Sequence, residues 1–542
     1  MQTNFKVNSL FKTKLKITIL IPVASCLIGL LVWGIYFTYQ YNQDQGLNVS
    51  DAITTIDLAQ VALRVTEGKG FTTGFIRPVS LRFSSATINH PELTHPPLYI
   101  LILAGAIKLA GPRDITLVAV SILFFWAAVP WLWFFSRKFF NDITAGIVIL
   151  LYCINPIMLR VSINGSPVTF SIFLIFIFFF CLYRSDSTSR FWPAAAGLAV
   201  GTAYLTRYSY GLWLLAGIFY LLLESRAHRS RRIILFITAA ILVILPWLIR
   251  NWVVTGNPFF TLEGFKPGMF TDPRPGYILW RGFSAQSLIL PGRFFVISKK
   301  FLLGLRDSYL RVLLITGNFA GVFTLMTVVY RFRDRRCDRL KYVMFLILVL
   351  ECGYLSLFRP AGMGTAVVIP WATLIGGAFF IHLIARLNRS SIPVRAIAVI
   401  FFLLLCIIPI SDKLGPRLVS RVQIYNVDNI KSVCESVPAG SMLVSDVPWA
   451  VSWYGRTPSL WLPYRIEDYE EIRIYRKPDV AGFYLTPFYL NTFFPPQERS
   501  PDWKKVYQTG WIPGGWGLEQ KTILPDNHIF LSRSVFSGEK TE

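Results

Sequence analysis

Apolar blocks about as long as a bilayer is thick recur from near residue 17 to about residue 410, which restricts the chain to folds that satisfy their own backbone hydrogen bonds in lipid. A helix needs about 20 such residues to cross a core of about 30 Å. The runs 17–39, 115–135, 143–158, 167–183, 191–205, 210–223, 233–249, 312–330, 342–358, 366–385 and 396–410 read as eleven spans. The first could be taken for a signal segment, with Val23-Ala24-Ser25-Cys26 as a lipoprotein processing site. Its apolar stretch outlasts the roughly 7–15 residues of a signal core, so it reads as a retained span. At 54% hydrophobic and 15% charged residues the whole chain departs from soluble composition, which lies near about 45–50% and 25%.

The net charge of +24 suggests nucleic acid until its distribution is read. Lys and Arg sit in short clusters between apolar runs, the pattern of membrane topology, and no nucleic-acid partner is expected. The segment Leu98–Ala110 follows Pro96-Pro97 and, as a helix at about 1.5 Å per residue, falls short of a span. If it stays on one side, the N-terminal lysines, Arg137/Lys138, Arg184/Arg190, Arg226–Arg232, Arg331–Lys341 and Arg386/Arg389/Arg395 share one face of the membrane. If it crosses, the densest basic clusters land outside, against the positive-inside rule. The expected fold class is therefore an all-α polytopic membrane protein with juxtamembrane helices and a cytoplasmic N-terminus.

That topology places 40–97, 251–311 and everything beyond 411 on the outer face. Residues 1–410 form the membrane domain. The tail, 411–542, loses long apolar runs and gains short alternating ones. Ser441–Ser445, Ser459–Leu462 and Val480–Leu485 read as strands, and Val447–Tyr454 and Ile466–Tyr475 as helices, giving a small α/β domain. No fixed-period repeat or pair of matching halves appears, which weakens the alternative of a transporter or flippase of lipid-linked glycans.

Residues with chemical potential cluster at the outer face. Asp57 is the first candidate for a general base and Asp51 the second. The plainer alternative makes Asp51 a helix cap and Asp57 a solvated residue. His95 stands before two prolines in a stiff, extended context, with Tyr99 beyond them; it is either a hydrogen-bond donor to phosphate or a residue at a chain turn. Arg207, Arg250 and Arg359 each end an apolar run and read singly as snorkelling anchors. Together they form a charge clamp suited to phosphate, which guanidinium grips with two bonds. Glu351 lies inside a span, paired with Arg359 or another arginine, in a functional or a helix-packing role. Gly197 and Gly201 have the spacing of close helix packing. The seven cysteines show no metal or disulfide spacing, and no obligatory metal is expected, although a divalent ion could substitute for the clamp.

Asp57-Leu58-Ala59-Gln60, Glu67-Gly68-Lys69-Gly70-Phe71, His95-Pro96-Pro97-Leu98-Tyr99 and Pro246-Trp247-Leu248-Ile249-Arg250-Asn251 together resemble the bacterial dolichyl-phosphate-mannose protein mannosyltransferase-like family, the GT-C fold glycosyltransferases of family 39 and relatives. Ser445-Asp446-Val447-Pro448-Trp449 and Trp453-Tyr454-Gly455-Arg456 are similar to the tails of such proteins. The resemblance implies transfer of a sugar, with inversion, from a polyprenyl-phosphate donor to a lipid, glycan or protein acceptor at the outer face of the bilayer. It also implies a catalytic aspartate in the first outer loop, which matches Asp57 best. Many relatives carry an Asp-Glu pair with a tyrosine four residues after the Asp; here Thr54 and Leu58 stand at those places, which keeps Asp51 in play.

Overall fold

The structure is a computed structural model. It describes residues 3–43, 47, 53–185, 189–223, 229–271, 276–284, 292–311, 313, 319–358, 363–386, 392–414, 425–490, 501–509, 516, 518 and 520–532. Six described helices are long and apolar enough to cross a membrane: Leu20–Tyr41, Asp114–Phe139, Val168–Ser185, Arg229–Thr255, Arg335–Phe358 and Thr365–Arg386. The expected span 143–158 is instead a bent pair, α5 (Asp142–Cys153) and α6 (Pro156–Ile163), turned by 60°. The reason is local: Pro156 cannot continue α5, and the Asn155 side chain accepts from the amides of Ile157 and Met158 to start α6 afresh. The stretches 191–205 and 210–223 are shorter helices, α8 (Phe191–Tyr204) and α9 (Trp213–Leu223). Of the expected span 312–330, the described helix is Phe319–Met326.

Alternation of the chain between two ends is visible in side-chain contacts. At one end the basic connections meet. Arg232 bonds to the Ser185 carbonyl, Arg336 lies over the Tyr183 ring, Arg339 over Tyr220, and Phe140 packs on Phe332. Glycines permit the tightest helix approach beneath them: a Cβ at Gly197 or Gly201 of α8 would run into the carbonyls of Phe236 and Ala240 on α10 (Arg229–Thr255).

The opposite end gathers the long loops. Helix α2 (Ile53–Thr66) of the first loop is buried along most of its length, and its Thr55 hydroxyl donates to the Asn164 carbonyl where α6 ends. Helix α3 (Pro97–Ala110) starts with its Leu98 amide bonded to Leu205. It leads into Asp114, whose carboxylate accepts from Trp453 and Tyr454 of the tail. Both termini of α3 thus lie at the same end of the bundle, so it does not cross.

The tail elements fall where alternation predicts them: β4 (Met442–Ser445), β5 (Ser459–Trp461), β6 (Val480–Leu485), and helices Pro448–Tyr454 and Ile466–Arg476. Two further strands extend the sheet: β8 (His528–Ser532) pairs antiparallel with β6, and β7 (Gln520–Leu524) pairs antiparallel with β8. The first loop supplies a small two-stranded pairing, β1 (Thr72–Thr73) with β3 (His90–Pro91), and also β2 (Phe75–Ile76). β2 joins the tail's sheet in parallel beside β5, giving the order β2-β5-β4-β6-β8-β7. The sheet is thus built from two segments almost 400 residues apart in sequence.

Candidate active site

The Asp57 side chain projects from α2 into a buried ion cluster, so it is not the solvated face residue of the plainer reading; 6% of it is exposed. Its Oδ2 accepts from Arg77 and lies 2.8 Å from His95 Nε2. Its Oδ1 has one long contact, 3.4 Å from the Gln60 amide nitrogen. Burial pushes the carboxyl upward, but Arg77 and His95 outweigh that and hold it well below the usual carboxylate range. Arg77 follows β2 directly and is fixed between the rings of Phe75 and Trp280. Gln60 ties α2 to the same strand region, donating to Thr73 and accepting from the Gly74 amide. His95 is aimed by Glu92, whose Oε1 accepts from the amides of Thr94 and His95 at 2.6 and 2.8 Å. The following prolines keep that backbone extended.

The second long loop meets this cluster. Leu262 donates its amide to Leu93 and Thr261 its hydroxyl to Thr94, which sets the turn Leu262–Gly268 beside His95. Glu263 on that turn pairs with Lys266 and accepts from the Tyr354 hydroxyl at 3.2 Å. Burial raises the Glu263 carboxyl, yet Lys266, with His95 and Arg207 further off, holds it low. Arg207 sits between α8 and α9, within electrostatic reach of Glu263 and Glu351; burial opposes its charge, and these groups and nearby tyrosines sustain it. Glu351 also accepts from the Ser209 hydroxyl at 3.3 Å, so its neighbour at this end is Arg207. Arg250 lies 4.8 Å from the Trp247 ring and donates to Asn251 and to the Phe71 carbonyl. Trp247 in turn donates to the Tyr208 hydroxyl.

Asp57, His95, Arg207, Arg250 and Glu351 therefore converge on one end of the bundle. Tyr99 stands apart as a brace: it is buried and its hydroxyl donates to the carbonyls of Gly165 and Ser166. Asp51 and Arg359 lie outside the described residues. The sequence reading did not single out Arg77, Glu92, Glu263 or Lys266. Arg77 in Phe75-Ile76-Arg77-Pro78 stands out only as a charge within an apolar stretch, and the others carry no local signal. Among the described residues no group of three or more His, Cys, Asp and Glu side chains is arranged to hold a metal.

Residues 94–250 match the family model described as dolichyl-phosphate-mannose-protein mannosyltransferase. No curated protein matches in sequence. Among solved structures, the chain is similar to ArnT from Cupriavidus metallidurans bound to undecaprenyl phosphate, with 13% identity, TM-score 0.60, and 95% of this chain and 98% of that one covered. The apo form of the same protein gives 14% identity and TM-score 0.57, covering 94% and 97%. The Archaeoglobus fulgidus oligosaccharyltransferase complex with Zn and sulfate aligns at 10% identity and TM-score 0.54, over 85% of this chain and 69% of that one. This chain is a multi-pass membrane protein with the fold of the GT-C glycosyltransferases, and its segment 94–250 carries the pattern of their mannosyltransferase family.

Proposed function

We propose that this chain is an inverting glycosyltransferase that moves a sugar from a polyprenyl-phosphate donor to a hydroxyl acceptor on the extracytoplasmic face of the cytoplasmic membrane, with its N-terminus inside and its tail outside. The observation that carries the reading is a buried, ionised carboxylate on the first-loop helix, with one oxygen locked by Arg77 and His95 and the other nearly unengaged, beside the cations Arg207, Arg250 and Lys266. The acceptor hydroxyl passes its proton to Asp57 Oδ1 as its oxygen attacks C1 of the sugar. The C1–O bond to the carrier breaks on the opposite face, and polyprenyl phosphate leaves. A carboxylate held this acidic is a weak base, so proton transfer accompanies bond formation rather than preceding it. A phosphate monoester has a second pKa near about 6 and departs as a stable anion without a general acid. The guanidinium and ammonium groups stabilise the charge that builds on it. The positive-inside distribution of the basic connections supports the orientation.

The test is transfer from a polyprenyl-phosphate-linked sugar by the purified full chain. Asp57→Asn is expected to lower turnover by about 10²-fold or more. A variant that stays folded and keeps near-normal turnover would refute the assignment. Since protein cations supply the charge at the leaving phosphate, treatment with a chelator is expected to leave transfer unchanged; loss restored by magnesium would assign that charge to a metal.

A further inference from the structure

The helix Arg293–Leu310 of the second long loop carries a buried lysine at its centre. Lys300 Nζ donates to the carbonyls of Lys266, Pro267 and Met269 at 2.6, 3.4 and 2.7 Å. Lys266 and Pro267 belong to the end of the Leu262–Gly268 turn and Met269 caps it, and Phe270, next in the chain, takes a left-handed backbone with φ of 55°. The Lys266 carbonyl already accepts from the Met269 amide at 3.0 Å; the ammonium adds a second bond to it and also donates to the Pro267 and Met269 carbonyls where the intrahelical bonds run out. The helix itself is seated against a membrane span: a Cβ at Gly304 would come within 2.6 Å of the Ser356 Cα on Arg335–Phe358. Its outward face carries Phe295, Leu302, Tyr309 and Leu310, all exposed, as suits a helix meeting lipid at the membrane surface.

The turn that Lys300 grips bears Glu263 and Lys266. Lys266 Nζ lies 5.2 Å from the centre of the Trp280 ring, and the Arg77 guanidinium lies 5.0 Å from the same ring. Trp280 is pinned to the turn through its indole nitrogen, which donates to the Leu262 carbonyl at 2.8 Å. A shift of the turn therefore moves Lys266 and Glu263 relative to Arg207, and disturbs the ring against which Arg77 rests.

We propose that Lys300 is a positioning residue for the donor phosphate: by tying the Lys266, Pro267 and Met269 carbonyls at the end of the 262–268 turn to the 293–310 helix, it fixes Lys266 and Glu263 beside Arg207. This rests on the reading of Lys266 and Arg207 as the phosphate's cations. The side chain touches no reacting atom. A packing lysine could be replaced by methionine without affecting one substrate more than another, whereas this one acts through a single arm of the site.

The experiment compares Lys300→Met, Lys300→Arg and Gly304→Ala with the natural full chain in detergent, using steady-state transfer from a polyprenyl-phosphate sugar and amide hydrogen exchange over residues 262–271. Lys300→Met is expected to raise the donor KM about tenfold with a smaller change in kcat, the signature of lost ground-state binding. It should also speed exchange in that segment. Lys300→Arg, which can still donate to the carbonyls, should recover most of both, and Gly304→Ala should move both in the direction of Lys300→Met by lifting the helix from its span. An unchanged donor KM in folded Lys300→Met, or unchanged exchange over the turn, overturns the proposal. If the natural chain transfers no sugar from such donors, the functional reading fails separately, and the exchange data alone decide whether Lys300 holds the turn.

Discussion

One oxygen of Asp57 carries two partners of different kinds, a guanidinium and an imidazole ring, and losing the first changes how the carboxylate responds to pH. Removing Arg77 takes away the guanidinium's attraction for the carboxylate. With Arg77 in place the carboxylate persists below the ordinary range of about 4, and the acid limb of kcat/KM that it sets should lie there. Arg77→Met should move that limb upward, because burial then acts on Asp57 with only His95 to oppose it. Arg77→Lys should move it less. Profiles that coincide for all three would mean Arg77 does not set the base. The same pair bears on stability. A depressed carboxyl contributes stability above its unfolded pKa of about 3.9 and loses it as pH falls through the lower folded value. Asp57→Asn removes that contribution and leaves Arg77 buried without its carboxylate, which costs on the order of 3–5 kcal/mol when one partner of a buried pair is lost. A lower melting temperature should therefore accompany the loss of turnover.

At the scale of helices and strands, glycine gives a paired test. Gly197→Ala places a methyl group against the Phe236 carbonyl on α10, whereas at Gly105 on α3 nothing lies within 4 Å of the added carbon. Alanine favours a helix over glycine by about 1 kcal/mol. Gly105→Ala should be neutral or stabilising and Gly197→Ala destabilising, as read by thermal unfolding of the detergent-solubilised protein. The Gly197–Gly201 spacing was legible because both partners of the signal lie on one helix turn. The tail strands were legible for the same reason, each carrying its own alternation. The bend at Asn155-Pro156 was written in the sequence too, but a run of apolar residues on both sides masked it. Arg77, Glu263 and Lys266 were not legible, because what makes them part of a site is who they meet. Glu263 finds Tyr354 91 residues on, and the Arg77 guanidinium rests against Trp280 from another loop. Hydrophobic periodicity reports the face of an element and is silent on such encounters.

For the molecule as a whole, the tail is wired into the site through the first loop. The Ser459 amide donates to the Gly74 carbonyl at 2.7 Å, β2 continues the tail's sheet, and Arg77 comes next in the chain. Trp453 and Tyr454 hold Asp114 at the foot of α4 (Asp114–Phe139). Deleting the chain after residue 414 should therefore abolish transfer, where a detachable binding module would leave it intact; turnover by the purified truncation decides.

The pairing of Phe75 with Ser459 also orders events in time. A ribosome making this chain delivers the first loop early, and its neighbour in the sheet emerges only after every membrane helix before residue 414 has been threaded into the bilayer. Contacts so distant in sequence form late and slowly. The strand of the first loop thus waits without its β5 neighbour through most of synthesis, and the sheet closes on that loop only once translation has passed Trp461.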